Sequence, residues 1–235
     1  MKKDFISGLK AGFPIGVGYL SVAITFGIMS ISAGLHWWQA LLISMVTLTS
    51  AGQFASLSII INPGRYLELL ISQTTINVRY CFMSIALSQK TDSKFKGLYK
   101  WLLGFFITDE IFAVAMTKNK VSRSFFLGLG TLPYIGWTFG TFVGALLGSI
   151  LPESIMIALG IAIYGMFIAI IVPPMKKERP IIMAVVIAII LSCCFFYLPY
   201  LKDIPTGITI SICAVLSALI CAFIFPVKEE KENGQ

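Results

Sequence analysis

The sequence contains an arginine, Arg79, in the middle of an otherwise apolar stretch. It lies about 14 residues beyond Arg65, so a helix rising 1.5 Å per residue would carry it about 21 Å into the stretch. If the stretch crosses a membrane, a guanidinium at that depth should face a partner or a water-filled path. Arg79 could hold a substrate carboxylate through two parallel hydrogen bonds, or it could form a structural ion pair with an acid on another helix. Gln73, Asn77 and Tyr80 add hydrogen-bonding groups nearby.

Two adjacent carboxylates, Asp109 and Glu110, stand in a later apolar run. With 3.6 residues per turn they would point about 100° apart, so both cannot face the same partner. One could neutralise Arg79. The other is a candidate proton carrier, because removal from water favours the neutral form of a carboxyl group. The alternative is that this run begins late and both acids lie near the membrane surface, since Lys100 precedes them closely.

A third polar stretch, 47–53, surrounds a glycine and a glutamine with hydroxyl-bearing residues. Gly52 weakens a helix around it, and the amide of Gln53 needs several hydrogen-bond partners. The stretch could be unwound, with free backbone groups that hold a substrate. It could equally be a seam of small residues that packs two helices together.

The elements that position these residues follow from composition. Hydrophobic residues make up 57% of the 235 residues and charged residues 12%, against about 45–50% and about 25% in soluble domains. Uncharged runs such as 125–152 and 181–201 are apolar on every face, unlike the alternating strands of a membrane barrel. We therefore predict an all-α, polytopic transmembrane helical bundle of about eight segments, in which helices can be discontinuous. The predicted segments are 12–35, 38–61, 66–88, 98–117, 124–150, 153–173, 180–201 and 206–226.

The domain organisation is predicted to be a single transmembrane transporter domain over residues 1–235. It would begin with a basic N-terminal segment, 1–11, and end in a disordered polar tail, 228–235. The first apolar stretch continues to about Leu35 without a small-residue cleavage site. That length exceeds the core of a signal peptide, so we interpret the stretch as a retained first helix.

The net charge of +7 comes from short clusters of Lys and Arg between apolar runs. Such clusters are typical of cytoplasmic loops rather than of a nucleic-acid interface. If all eight segments cross the membrane and the N-terminus is inside, twelve cations lie inside and five outside, which favours both termini in the cytoplasm. The 90–100 loop fits this arrangement poorly, because four of its lysines would face outward. A second segment that does not cross would bring this loop inside but would put Lys118, Lys120 and Arg123 outside, so whether that segment crosses stays open.

The sequence offers no sign of a metal, cofactor or catalytic site. The five cysteines lie inside apolar runs without a CxxC spacing or a cluster of histidines, so we interpret them as small buried hydrophobic residues. The chain also lacks HExxH and GxSxG motifs, which argues against an intramembrane enzyme.

Four stretches of the chain, in this order, resemble the AzlC family, the large subunit of two-component branched-chain amino acid exporters (the LIV-E family). They are 12–17 with Phe26-Gly27, 49–55, 77–80 with 86–88, and 108–110. Two positions depart from the family pattern. Ser50-Ala51-Gly52 replaces the usual Phe-Ala-Gly, and Tyr80 stands where histidine is common, which weakens a proton shuttle built on that histidine.

The resemblance implies export of leucine, isoleucine, valine and sometimes methionine or analogues, driven by the proton gradient across the bacterial cytoplasmic membrane. It also implies a small AzlD-like membrane partner. The matching polar residues would then form the site, with Gly52, Gln53, Asn77, Arg79 and Tyr80 around the substrate. Asp109 and Glu110 would hold its ammonium group or a proton. A channel, an exporter of another small solute and a non-transporting scaffold subunit remain open alternatives.

Overall fold

The computed structural model describes residues 2–60, 66–92, 95–148, 178–201 and 206–226, with 150, 168, 171–172, 175–176 and 204 as isolated positions. Every regular element within these residues is an α-helix, which confirms the predicted all-α class. The helices are α1 (Lys2–Ser32), α2 (Trp37–Val46), α3 (Ser50–Ile60), α4 (Tyr66–Lys90), α5 (Leu98–Gly104), α6 (Asp109–Met116), α7 (Arg123–Gly148), α8 (Arg179–Tyr197) and α9 (Thr206–Ile224). By length and composition, α1 and α8 can each cross a bilayer.

The two longest helices, α1 and α7, pack side by side along most of their length. Gly8 lies against the carbonyl of Phe125 near their starts, and Gly144 lies against the carbonyl of Ile24 near their ends. Because the residue numbers rise together, the two helices are parallel. A Cβ at these glycines would overlap the opposite backbone, so the close approach depends on the missing side chain.

The second predicted segment is a hairpin of two short helices. α2 ends at Val46, Thr47 is extended (φ −138°, ψ 142°), and α3 begins at Ser50. The chain turns back at 47–49. This is shown by the side-chain amide of Gln53, which donates to the hydroxyl of Ser44, nine residues earlier, at 3.3 Å. Both arms extend toward the C-terminal ends of α1 and α7, where the Phe54 ring meets Phe26 and the Trp37 ring meets Phe142.

The fourth predicted segment is a second hairpin, open at the other end of the bundle. α5 and α6 have seven and eight residues and are separated by the tip 105–108. Beyond α6, the Val121 amide donates to the Lys90 carbonyl at 2.8 Å, and the Asp92 amide donates to the Val121 carbonyl at 3.0 Å. The start of α5 lies at the same end, since the Arg123 guanidinium stacks 4.1 Å from the Tyr99 ring centroid. Both ends of this segment therefore lie beside the end of α4 and the start of α7.

These contacts correct the predicted path of the chain, which counted all eight segments as crossings and put the 90–100 and 118–123 loops on opposite sides. The two loops hydrogen-bond to each other, so α4 runs antiparallel to α1 and α7, and both hairpins return to the side they leave. Their arms are too short to cross: α5 and α6 are only about 10–12 Å long at 1.5 Å per residue, against about 30 Å of hydrocarbon.

With the chain path corrected, most positively charged residues of 2–148 lie at one end of the bundle, which we call the basic face. The hydroxyl of Ser122 donates to the carboxylate of Asp4 at 3.2 Å, so the start of α1 lies there too. Apart from Arg79, the described Lys and Arg residues of 2–148 all lie toward this face. They are Lys2, Lys3, Lys10, Lys90, Lys96, Lys100, Lys118, Lys120 and Arg123.

Of the other predicted boundaries, one is shifted, two segments match observed helices, and two lie mostly or wholly outside the described residues. α1 begins at Lys2, ten residues before the predicted segment, so most of the predicted basic segment 1–11 is the first part of a helix. The predicted segments 180–201 and 206–226 correspond to α8 and α9, and α9 packs against α8 and α4. The predicted segment 153–173 falls almost entirely outside the described residues, and the predicted tail 228–235 lies wholly outside them.

Candidate functional site

The tips of the two hairpins meet in the middle of the bundle. Leu48, in the tip of the α2–α3 hairpin, is buried with Trp137 of α7, and Phe106 of the α5–α6 tip packs against the same cluster. Tyr134 touches both tips: its hydroxyl donates to the carbonyl of Met45 at 3.3 Å, and its ring contacts Phe106 at 6.0 Å between centroids. Two chain breaks therefore face each other at mid-depth, where backbone groups free of helical hydrogen bonds can hold a solute.

Arg79 forms an ion pair beside this meeting point. Its Nη1 lies 2.6 Å from Oδ2 of Asp109, the first residue of α6. Its Nη2 donates weakly to the Tyr80 hydroxyl at 3.4 Å, while its Nε is buried and has no hydrogen-bond partner within the described part of the chain. The side chains of Arg79 and Asp109 are 42% and 40% exposed, so a solute or water can approach the pair.

Glu110 points to a different partner, as the 100° separation of adjacent helical residues predicts. The Tyr19 hydroxyl of α1 donates to Oε2 of Glu110 and lies 2.7 Å from the hydroxyl of Thr108. Thr108 in turn accepts a hydrogen bond from the Ile111 amide and caps α6. The two acids thus sit in separate surroundings, one beside a cation and the other beside a phenol.

A chain of neutral hydrogen bonds joins the α2–α3 tip to α4. The hydroxyl of Thr49 donates to Asn77 at 2.6 Å, and the Asn77 amide donates to Gln73 at 3.1 Å. The Gln73 amide then donates to the carbonyl of Gly52 at 2.9 Å. Gly52 therefore belongs to the site through its backbone.

Gln53 faces away from Arg79. Its amide nitrogen contacts Ser44, whose hydroxyl lies 2.7 Å from that of Thr141 on α7. The side chain is buried, and its Oε1 has no hydrogen-bond partner among the described residues. The structure thus brings Asn77, Arg79, Tyr80 and both acids to the centre, but it places Gln53 at the contact between the α2–α3 hairpin and α7.

Tyr19 is the site residue that the sequence analysis did not identify. It lies well inside the first apolar segment, between Gly18 and Leu20. A phenol buried at mid-span needs a hydrogen-bond partner, and that requirement is the signal that could have pointed to it. In the part of the chain that the structure describes, no group of three or more His, Cys, Asp or Glu residues could hold a metal ion.

Comparison with known proteins gives the following matches. A family model described as "AzlC protein" matches residues 14–151, which span both hairpins and every site residue named above. The chain is 33% identical over 181 residues to an uncharacterized membrane protein of Archaeoglobus fulgidus, covering 74% of this chain and 78% of that protein. It is 24% identical over 228 residues to inner membrane protein YgaZ of Escherichia coli, covering 93% and 91%. It is also 24% identical over 179 residues to branched-chain amino acid transport protein AzlC of Bacillus subtilis, covering 74% and 69%. No solved structure matches.

Proposed function

The chain belongs to the AzlC family, and on that premise we propose that it is a secondary transporter subunit that exports branched-chain amino acids in exchange for protons. The Bacillus subtilis relative is named as a branched-chain amino acid transport protein, which favours transport over catalysis and supports leucine, isoleucine and valine as cargo. Methionine and structural analogues are the next candidates, because their side chains are also apolar and of similar size.

The observation that carries the proposal is a half-exposed ion pair where two hairpin tips meet at mid-depth. An amino acid zwitterion brings one carboxylate and one ammonium group, which match Arg79 and Asp109 in charge. The substrate carboxylate would replace Asp109 on the guanidinium, with the Asn77 amide and the Gly52 backbone completing the polar half of the site. The apolar side chain would pack against the aromatic rings around Phe106.

Protons would drive the exchange through the two acids. A proton arriving from outside would neutralise Asp109 or Glu110. On Asp109 it would remove the negative charge that holds the substrate ammonium, so the substrate would be released outside, and the next substrate from the cytoplasm would displace the proton to the inside. A carboxyl group held in a membrane interior and paired with a cation is a usual element of proton relays. The carboxylate–phenol contact between Glu110 and Tyr19 provides a second place where a proton can be held.

The charge distribution supports an orientation. Cytoplasmic loops carry an excess of Lys and Arg, so the basic face would be cytoplasmic and the N-terminus would lie inside. We extend this to the C-terminus, whose Lys228 and Lys231 add positive charge. The relatives named as membrane and inner membrane proteins support a bacterial cytoplasmic membrane location, and a small AzlD-like membrane subunit is the proposed partner.

The test is leucine counterflow in proteoliposomes that contain the chain and its partner subunit. Arg79→Ala and Asp109→Asn should abolish trans-stimulated leucine exchange. Arg123→Ala is the matched control, because that arginine stacks on Tyr99 at the basic face, away from the site. Wild-type rates in both site variants would end the mechanism, and the absence of trans-stimulation in the wild type would indicate a channel.

A further inference from the structure

One face of α4 carries polar residues from Gln73 to its end, and Thr91, the first residue after the helix, continues the series. They recur at intervals of four, three, four, four and three, which keeps them on one side of a helix. We call these residues the α4 polar stripe: Gln73, Asn77, Tyr80, Ser84, Ser88 and Thr91. A different face of the helix is apolar and exposed, with Val78, Phe82 and Ile85 positioned to meet lipid.

The two halves of the stripe have different neighbours. The upper half is covered by the α2–α3 hairpin through the hydrogen bonds of Gln73 and Asn77. The lower half, from Ser84 to Thr91, borders a cavity of about 840 Å³ between α4 and α5. Tyr80 joins the halves, and its hydroxyl contacts Arg79.

The cavity extends from the basic face toward the site. Thr91 and Lys100 line its end at the basic face, and Phe105 and Ile107 line its end at the α5–α6 tip, directly before Asp109. Ser84 is five residues beyond Arg79, so it lies about 7.5 Å farther along the helix. The cavity therefore ends within about one and a half helical turns of the ion pair.

The lining fits an amphipathic solute. Most of the lining is apolar, as at Phe95 and Trp101. The hydroxyls of Ser84, Ser88 and Thr91 add a polar strip; they donate to backbone carbonyls of their own segment and can still accept a hydrogen bond from a solute or water. Pockets for drug-sized ligands measure about 300–1,000 Å³, so an amino acid would occupy this cavity together with water. Lys100 at the mouth provides a positive charge that attracts a carboxylate.

We propose that this cavity is a cytoplasmic vestibule, through which a zwitterion with an apolar side chain reaches Arg79 along the α4 polar stripe. The assignment rests on the proposed function for the identity of the solute. Its physical content does not depend on the solute: the cavity holds water, and that water enters from the basic face.

The experiment is cysteine labelling from each side of the membrane with a charged, membrane-impermeant thiol reagent. Ser84→Cys and Ser88→Cys place thiols on the cavity wall. Ile85→Cys is the matched control, because Ile85 lies at the same depth and is 60% exposed, but on the apolar face. Labelling of the parent chain, with its five cysteines, sets the baseline.

In inside-out vesicles, where the cytoplasmic surface is accessible, the Ser84 and Ser88 variants should react about tenfold or more faster than the Ile85 variant, because the reactive thiolate forms only in water. In right-side-out vesicles they should not exceed the baseline. Equal rates for all three variants would show a lipid-filled groove, and reaction from the outside alone would place this end of α4 in the periplasm. Either result overturns the proposal.

The solute is tested separately with saturating leucine, which should slow labelling at Ser84→Cys and Ser88→Cys. Glycine, which lacks an apolar side chain, should slow it less. If leucine counterflow is present but labelling is unaffected by leucine, the vestibule is not the leucine path and the proposal fails. If counterflow is absent while labelling is confined to the cytoplasmic side, the proposed function fails and the water-filled vestibule stands.

Discussion

The α2–α3 and α5–α6 hairpins have the same design, two short helices around a chain break at mid-depth, but different chemistry holds their tips. At the α2–α3 tip the hydrogen bonds join neutral groups, as in the pairs Thr49–Asn77 and Gln73–Gly52. At the α5–α6 tip two carboxylates contact Arg79 and Tyr19.

The two hairpins also differ in how much open space borders their helices. Residues near both tips are buried, Leu48 and Gln53 in the α2–α3 hairpin and Ile107 and Ile111 in the α5–α6 hairpin, so the difference lies in the outer arm α5. This helix lies between the 840 Å³ cavity and a second cavity of 780 Å³, and its Trp101 is 83% exposed. Neutral hydrogen bonds in a packed environment respond little to pH or to an ionic solute. Ionic contacts beside open space respond to both, so the α5–α6 hairpin is the one we expect to move during transport.

The largest expected effect comes from separating Arg79 and Asp109. Arg79→Gln and Asp109→Asn each leave one charge without its partner. Truncating one member of a hydrogen-bonded charge pair costs about 2–5 kcal/mol, and half-exposure places this pair near the lower end. We expect each variant to unfold at lower temperature in detergent and to lose leucine counterflow by about 30-fold or more.

The double variant Arg79→Gln with Asp109→Asn separates a structural role from a transport role. Its two amides are neutral and can hydrogen-bond to each other, so the unfolding temperature should recover toward that of the wild type. Counterflow should stay absent, because the guanidinium that receives the substrate carboxylate is gone. Recovery of counterflow together with stability would show that the pair only supports the fold.

A smaller and more selective effect is expected at Glu110. Glu110→Gln removes a group that can gain or lose a proton but leaves the ion pair of Arg79 in place. One proton crossing about 100 mV supplies about 2.3 kcal/mol, enough for a concentration ratio above about tenfold. The variant should exchange leucine at equilibrium, whereas an imposed proton gradient should no longer accumulate leucine in inside-out vesicles.

Asn77→Leu is the matched change at the neutral tip, since it breaks the hydrogen bonds to Thr49 and Gln73. Leucine should bind more weakly to this variant, because the Asn77 amide belongs to the proposed site. Proton-driven accumulation should nevertheless survive at a higher leucine concentration, because both acids remain. Accumulation that persists in Glu110→Gln would exclude Glu110 as the proton carrier and leave Asp109 as the remaining candidate.

The sequence predicted the polar centre better than it predicted the path of the chain. The cost of burying a guanidinium singled out Arg79, and the rarity of adjacent acids in an apolar run singled out Asp109 and Glu110 as its candidate partners. The structure decides between them and pairs Arg79 with Asp109. The polar stretch 47–53 left two interpretations open, an unwound stretch and a seam of small residues between helices. The structure has a chain break at 47–49, whereas Gly52 itself lies within α3. Each of these predictions depends only on residue types and on their neighbours along the chain.

The hairpins could not be predicted in the same way, because the run 38–61 is long and apolar enough to cross a bilayer. Only tertiary contacts, such as Gln53 with Ser44, show that the chain turns back. The misplaced lysines of the 90–100 loop were the one sequence signal of the error. Tyr19 was missed for a related reason: a hydroxyl in a helix gains significance only when Glu110 is seen beside it.

The smallest expected effects compare a glycine in each hairpin. A Cβ on Gly52 would lie 2.6 Å from Oε1 of Gln73 and 2.8 Å from Oγ1 of Thr49, whereas a Cβ on Gly104 of α5 meets nothing within 4 Å. Alanine favours a helix over glycine by about 1 kcal/mol. At Gly52 this gain is offset because Gln73 must leave the Gly52 carbonyl and Asn77, and such interhelical bonds average about 0.6 kcal/mol each in membranes.

Gly52→Ala should therefore lower the unfolding temperature slightly or leave it unchanged, whereas Gly104→Ala should raise it. The measurement is the change in unfolding temperature of each variant relative to the wild type. Leucine counterflow should change by less than a few-fold in both, since neither substitution touches a charged group. If both variants gain stability equally, the α2–α3 tip has room for a methyl group and is not the packed, fixed partner of the pair. The contrast between a static and a mobile hairpin would then rest on the charges of the α5–α6 tip alone.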